Sequence, residues 1–287
     1  MMKVGLVIAY IVFAPILGAL LDGLDRVVSA RMQRRKGPSI LQPFYDLGKL
    51  FSKQLLAVNN VQLLLNLSYL VILMIAGSLL FAGADLLMIL FILSTADMFL
   101  IMSASSDSSP YANMGAGREM IQVMAYEPLT LLLAVGFYLA TGSFDVSVII
   151  QSPTSAVFLM PGLLFGFMFI AAIKLRKSPF DLSTSHHAHQ EMVMGITTEM
   201  SGANLAIINL GEYYEMILMM GLFFLFFANG HWQSWIVAAV LCLVIFFLEV
   251  LWDNVSARLK WKTVLYGCWT VTFIAGGVNL LILMLTH

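Results

Sequence analysis

The sequence predicts an all-α membrane protein: a polytopic bundle of about eight transmembrane helices with an amphipathic helix on the cytoplasmic surface. Three observations predict it. Of the 287 residues, 60% are hydrophobic and 11% are charged, against about 25% charged in a soluble domain. The mean hydropathy is +0.91. The apolar residues also gather in runs close to the ~20 residues that a helix needs to span a bilayer, whereas barrel strands would be shorter and alternating. This composition excludes a water-soluble enzyme domain. A net charge of −1 with no basic tail gives no support to nucleic-acid binding.

The spans follow in order at 4–21, 62–82, 86–103, 119–140, 157–174, 206–228, 234–251 and 263–285, as one integral membrane domain over 1–287. Lys3 precedes the first, a basic cluster follows it, and no small-residue cleavage pattern is present. It therefore reads as a retained span and not as a signal peptide. Placing the N-terminus outside puts fourteen of the fifteen basic residues on one side, thirteen in loops 25–61, 104–118, 175–205 and 252–262 and Lys174 at the edge of the third. The positive-inside rule then makes these loops cytoplasmic and both termini external to the cell membrane. The outer loops, at 83–85, 141–156 and 229–233, are short and nearly uncharged. No internal repeat is evident, which disfavours an inverted-repeat transporter.

Within loop 25–61, Gly37-Pro38 breaks the chain. Ile40, Phe44, Leu47, Leu50, Phe51 and Leu55 then recur at helical spacing among Asp46, Lys49 and Lys53. This predicts an amphipathic helix lying on the cytoplasmic face. It fits two roles, an anchor on the lipid surface or a docking platform for a soluble partner. In the second role Arg34, Arg35, Lys36, Asp46 and Lys49 would make the contacts.

Several carboxylates cannot be moved into water by redrawing the spans. The runs Pro128 to Ala140 and Met216 to Ala228 have only 13 residues each. Completing them draws Glu127, Glu119, Glu212 and Glu215 inward, and Asp97 and Glu249 lie within spans. A charged side chain at mid-bilayer costs about 2.5–3.5 kcal/mol. Glu212 and Glu215 share a helix face. Glu119 and Glu127 are about 12 Å apart along the axis and roughly 80° apart in angle, so both suit one wall. No lysine or arginine lies mid-span, so these acids are expected to lack basic partners and to form a proton path, with Glu191 and Glu199 at its cytoplasmic mouth.

Cys242 and Cys268 lie in apolar runs. An iron–sulfur cluster takes about four cysteines, so the chain is expected to carry no cluster, and no metal site is assigned.

The motifs P-F-D-L (Pro179–Leu182), Gln190-Glu191, Glu199-Met200-Ser201-Gly202 and Gly211-Glu212-Tyr213 occur in that order. Together with Arg34–Pro38, Leu41–Pro43, Asp46–Leu50, Gly117–Glu119 and Tyr126-Glu127 they resemble the membrane subunit of respiratory complex I that anchors its peripheral arm. The resemblance covers nearly the whole chain. After P-F-D-L, complex I reads roughly P-E-A-E-x-E, whereas this chain has Ser183 through Glu191, with His187 and His189 where acids are expected. That departure resembles the counterpart subunit of energy-converting NiFe hydrogenases, most closely the small Ech type.

The resemblance implies a non-catalytic subunit that couples redox chemistry in a soluble arm to movement of H⁺ or Na⁺. The implied partners are the hydrogenase large and small subunits, an iron–sulfur subunit and an antiporter-like membrane subunit, with ferredoxin as electron donor. The NiFe centre and the clusters would belong to those partners. Asp181, His186, His187 and His189 would form a relay or interface at the arm junction, since histidine titrates near physiological pH. A metal site on the three histidines is the rival, without an evident fourth ligand. Alternatives at the level of function are the corresponding subunit of formate hydrogenlyase or of a quinone-linked complex I, a stand-alone secondary transporter, and a purely structural anchor.

Overall fold

The computed structural model describes residues 2–54, 59–183, 194–257 and 259–286. In chain order the helices are α1 (Met2–Met32), α2 (Gln42–Ser52), α3 (Asn60–Ala82), α4 (Leu86–Ser105), α5 (Pro110–Thr141), α6 (Val146–Ile150), α7 (Pro161–Lys174), α8 (Ala203–Phe227), α9 (Trp232–Val255), α10 (Trp261–Val271) and α11 (Val278–Thr286). A π-helical turn at Thr272–Gly277 joins α10 to α11. Among the described residues, seven helices are long and apolar enough to cross a membrane: α1, α3, α4, α5, α8, α9 and the continuous α10–α11. The protein is an all-α polytopic membrane bundle.

Several helices outrun the expected spans. α1 continues to Met32 because its polar residues are satisfied along the helix. Arg26 pairs with Asp22 at 2.9 Å, one turn away, and Ser29 donates to Asp25 at 3.1 Å. α5 begins at Pro110 and not near 119, with proline in the first turn, where its missing N–H costs nothing. α9 runs on to Val255. The expected loops 25–61, 104–118 and 252–262 are correspondingly shorter.

α3 lies against α1, α4 and α8, and α4 packs on α5. At the start of α3 Asn59 caps the helix, accepting from the amides of Val61 and Gln62. At the other end Asp85 caps α4 through the Met88 amide, and a bridge between Asp85 and Asp145 ties the α3–α4 turn to the segment after α5. α1 meets α8 through Gly18, where an added Cβ would fall 2.5 Å from the Tyr213 carbonyl oxygen. Small residues at such points let membrane helices approach backbone to backbone.

The expected span at 157–174 is a 14-residue helix, α7, which rises only about 21 Å against an apolar core of about 30 Å. The chain before it, 151–160, is largely irregular, with Ser155, Ala156 and Met160 buried and the rest partly or fully open. Ser155 donates to the Phe227 carbonyl at 3.0 Å. Asn279, buried on α11, accepts from the Leu163 amide at 3.2 Å and donates to the Leu159 carbonyl at 3.4 Å. Irregular backbone at membrane depth requires such partners.

Gly18→Ala should overpack the α1–α8 contact and destabilise the subunit by about 1–3 kcal/mol, read as a lowered thermal midpoint in mild detergent. Gly5→Ala has open space around it and should leave the midpoint unmoved. Equal behaviour of the two variants would show that the close approach contributes nothing.

Candidate functional site

α7 ends at Lys174, and the chain turns sharply with Arg176 in the left-handed region at φ +51°. For a residue with a Cβ this conformation costs roughly 1–2 kcal/mol. The turn carries Lys174, Arg176 and Lys177 back among the helices, and each is fixed by acids from a different direction.

The Lys174 side chain is 3% exposed. Its Nζ lies 2.7 and 3.0 Å from the two carboxyl oxygens of Asp97 on α4 and 2.8 Å from Glu215 on α8. Tyr126 of α5 donates its hydroxyl to Asp97 at 2.7 Å and places its ring 5.6 Å from Nζ. Asp97 lies eight residues from the end of α4 and Glu215 twelve from the start of α8, so the ammonium sits about 12–18 Å inward from the helix ends. Arg176 reaches Glu212 of α8 at 2.5 Å and Glu119 of α5 at 3.8 Å. Glu212 is 40% exposed at its side chain. Lys177 pairs with Asp25 of α1.

The stretch that follows is bonded on both sides. The Ser178 amide donates to Asp253 of α9 at 2.7 Å, Gln122 of α5 donates to the Phe180 carbonyl at 2.7 Å, and the Leu259 amide donates to the Pro179 carbonyl at 3.2 Å. Residues 174–183 thus form a strap that joins α1, α4, α5, α8 and α9 beneath the bundle.

This corrects one expectation. Asp97, Glu119, Glu212 and Glu215 have basic partners, supplied by the chain end of a short helix. Two cations still serve four carboxylates, so the cluster is not electroneutral with every acid ionised. Glu127 stands apart: it is half-buried on α5 and makes no side-chain hydrogen bond or ion pair among the described residues. Glu199 is exposed in the segment leading into α8, and Asp181 is buried in the strap. His186, His187, His189 and Glu191 lie outside the described residues.

On the surface, Arg34, Arg35 and Lys36 after the end of α1 and Lys49 on α2 are all exposed. Asp46 is engaged: it accepts from Arg26 and from Gln42, both at 2.9 Å. Burial alone would raise its carboxyl, but the Gln42 amide and the Arg26 guanidinium outweigh this and hold it below the ordinary carboxylate range. Asp46 therefore pins α2 to α1. α2 turns Tyr45 and Phe51 outward.

Sequence reasoning missed Lys174, Arg176, Lys177, Asp25 and Tyr126. It also missed a polar ladder at the α3–α4 end, where Asn59 and Gln62 donate to Asp107 at 2.9 and 2.5 Å, Asn204 donates to Gln62 at 3.2 Å, and Ser103 donates to Asn66 at 2.6 Å.

Residues 4–284 match the NADH dehydrogenase family. The chain belongs to that family. It is 31% identical over 281 residues to hydrogenase-4 component C of Escherichia coli, covering 91% of this chain and 87% of that one. It is 27% identical to formate hydrogenlyase subunit 4 of Escherichia coli, covering 89% and 90%. It is 28% identical to a subunit of the NADH-quinone oxidoreductase of Rhodospirillum rubrum, covering 89% and 88%. Among solved structures, a chain of the membrane-bound sulfane sulfur reductase, an archaeal respiratory membrane complex, superposes with a TM-score of 0.87 at 19% identity, over 99% of this chain and 100% of that one. Family membership makes this chain a membrane subunit of a complex I-like respiratory or hydrogenase complex.

Lys174→Met should destabilise the subunit by about 3–5 kcal/mol, because it leaves Asp97 and Glu215 facing each other without their cation. Adding Glu215→Gln should recover part of that loss. Thermal midpoints of the two variants check this, and absence of any rescue would show that the pairing is incidental.

Proposed function

We propose that this chain is the membrane anchor and ion-path subunit of an energy-converting, ferredoxin-linked NiFe hydrogenase, most like the Ech type. The observation that carries the reading is the buried cluster at the end of α7. A solely mechanical anchor has no need for four acids and two cations at that depth. A path for H⁺ or Na⁺ needs groups that exchange charge without exposing it to lipid. Asp97, Glu119, Glu212 and Glu215 form its interior, with Glu127 towards a neighbouring membrane subunit and Glu191 and Glu199 at the mouth. The hydrogenase names of two relatives support the redox side. Nickel and iron–sulfur centres would sit in the soluble partners, since Cys242 and Cys268 are buried on α9 and α10 and a cluster takes about four cysteines. Arg34, Arg35, Lys36 and Lys49 would receive the arm, and Asp181 with the 183–191 stretch would meet it at the junction.

Affinity purification of the native complex in mild detergent should bring down a nickel-containing partner and an antiporter-like membrane subunit. Recovery of a quinone reductase without nickel would overturn the hydrogenase assignment. In vesicles, Glu212→Gln and Glu127→Gln should each spare hydrogenase turnover with artificial dyes. Each should depress ferredoxin-linked turnover and abolish the ion gradient, because glutamine keeps the shape of the acid but cannot exchange a proton. Full pumping by the doubly substituted complex would sink the ion-path reading.

Both termini are external in this reading, from the distribution of basic residues. A reporter fused after His287 should be active only when it works outside the cytoplasm, and cytoplasmic activity would reverse the topology.

A further inference from the structure

Glu249 belongs to no part of the cluster just described. It lies on α9, six residues before its end, and is 1% exposed. Both its carboxyl oxygens are shielded from solvent, and neither has a hydrogen-bond partner among the described residues. Its neighbours on α9, Phe246 and Val250, pack with Met216 of α8 against Leu21 and Val28 of α1, Leu175 of the strap, and Met220 of α8. The charged groups that face it are Lys177 of the strap and Asp25 of α1, which are paired with each other. Asp22 of α1 is held by Arg26. Asp253, one turn further along α9, is spent on the Ser178 amide. Lys174 at the end of α7 is committed to Asp97 and Glu215.

A carboxylate in that setting would have neither a donor nor a cation, and burial strongly disfavours such a charge. The neutral acid is the form the pocket accepts. We propose that Glu249 is a proton-binding site, loaded in the conformation seen here, which exchanges its proton with Asp25 as Lys177 swings between the two carboxyls. In the exchange the Glu249 O–H bond breaks and an O–H bond forms on Asp25. The Lys177 ammonium leaves Asp25 and pairs with the Glu249 carboxylate. One proton moves and the charge of the trio is unchanged, so no net charge is created in the low-dielectric interior. The site stands independently of whether the Asp97–Lys174–Glu215 cluster conducts, because it is read without turnover.

The test is infrared spectroscopy of the purified complex, wild type minus Glu249→Gln. A protonated-carboxyl C=O stretch that shifts in D₂O should be present in the wild type and absent from the variant, and it should fade as the pH is raised. Lys177→Gln should move that fading to higher pH, with proton affinity raised about tenfold or more by loss of the nearby cation. If Glu249→Gln does not assemble, Glu249→Asp should keep the band at a shifted frequency. Carboxylate bands alone in the difference spectrum would overturn the site. A C=O band that persists at every pH would mark a permanently neutral packing residue and overturn the exchange. An unmoved titration in Lys177→Gln would overturn the role of the lysine.

Discussion

A helix of 14 residues rises about 21 Å, and the apolar core of a bilayer is about 30 Å thick. α7 therefore leaves a gap in the span, and the ionic interior depends on it. Before α7 the gap is filled by irregular chain, tied through the Leu159 carbonyl to Asn279 and through the Ser155 hydroxyl to the Phe227 carbonyl. After α7 it is filled by the strap. A full-length α7 would carry Lys174 out to the surface, and Asp97 and Glu215 would be left buried with no counter-charge.

The cluster is a weak source of stability. Buried ion pairs often break even against packed apolar residues once desolvation is counted, whereas removing one partner is costly. What the arrangement secures is position. Lys174, Arg176 and Lys177 fall within one turn of chain and grip α4 and α8, α5 and α8, and α1 in turn. With the Ser178 contact to α9, five helices are referenced to one short stretch of backbone, while their lipid-facing sides remain interchangeable apolar surface.

The bundle is legible in the sequence because apolar run length and the distribution of basic residues are both strong constraints on a membrane chain. The surface helix α2 is legible from its spacing, and the buried acids from the shortness of the runs around Glu127, Glu212 and Glu215. The cations are not, although the same arithmetic applies. The run from Pro161 to Ile173 is also 13 residues. Completing that span outward to 157 leaves Lys174 at the surface. The extension fails physically because proline at position 161 starts a helix more readily than it continues one. Asp25 and Arg26 read as loop residues because they are charged, yet the one-turn pairings of Asp25 with Ser29 and of Arg26 with Asp22 let α1 pass through them. The polar ladder around Gln62 is invisible for a different reason: its members are uncharged apart from Asp107, and their partners come from separate elements.

The close placement of the three cations has a mechanical consequence. Each is bonded to a different set of helices, and Arg176 between the two lysines sits in a strained left-handed turn. Rotation of that residue into an ordinary conformation would redirect the side chains on either side of it. The Lys174, Arg176 and Lys177 pairs therefore cannot be remade one at a time by backbone motion; they change together or by side-chain swing alone. The strap contains Asp181 and is continuous in sequence with the rest of the 183–191 stretch, the part of the chain that the proposed function assigns to the arm junction. A displacement there is transmitted by covalent connection within a few residues to acids about 12–18 Å inside the helix ends. It needs no long relay of packed side chains, a kind of coupling that requires its own demonstration. The short helix thus does two things at once. It admits the counter-charges that make the buried acids tolerable, and it places them on a strap that ties five helices together.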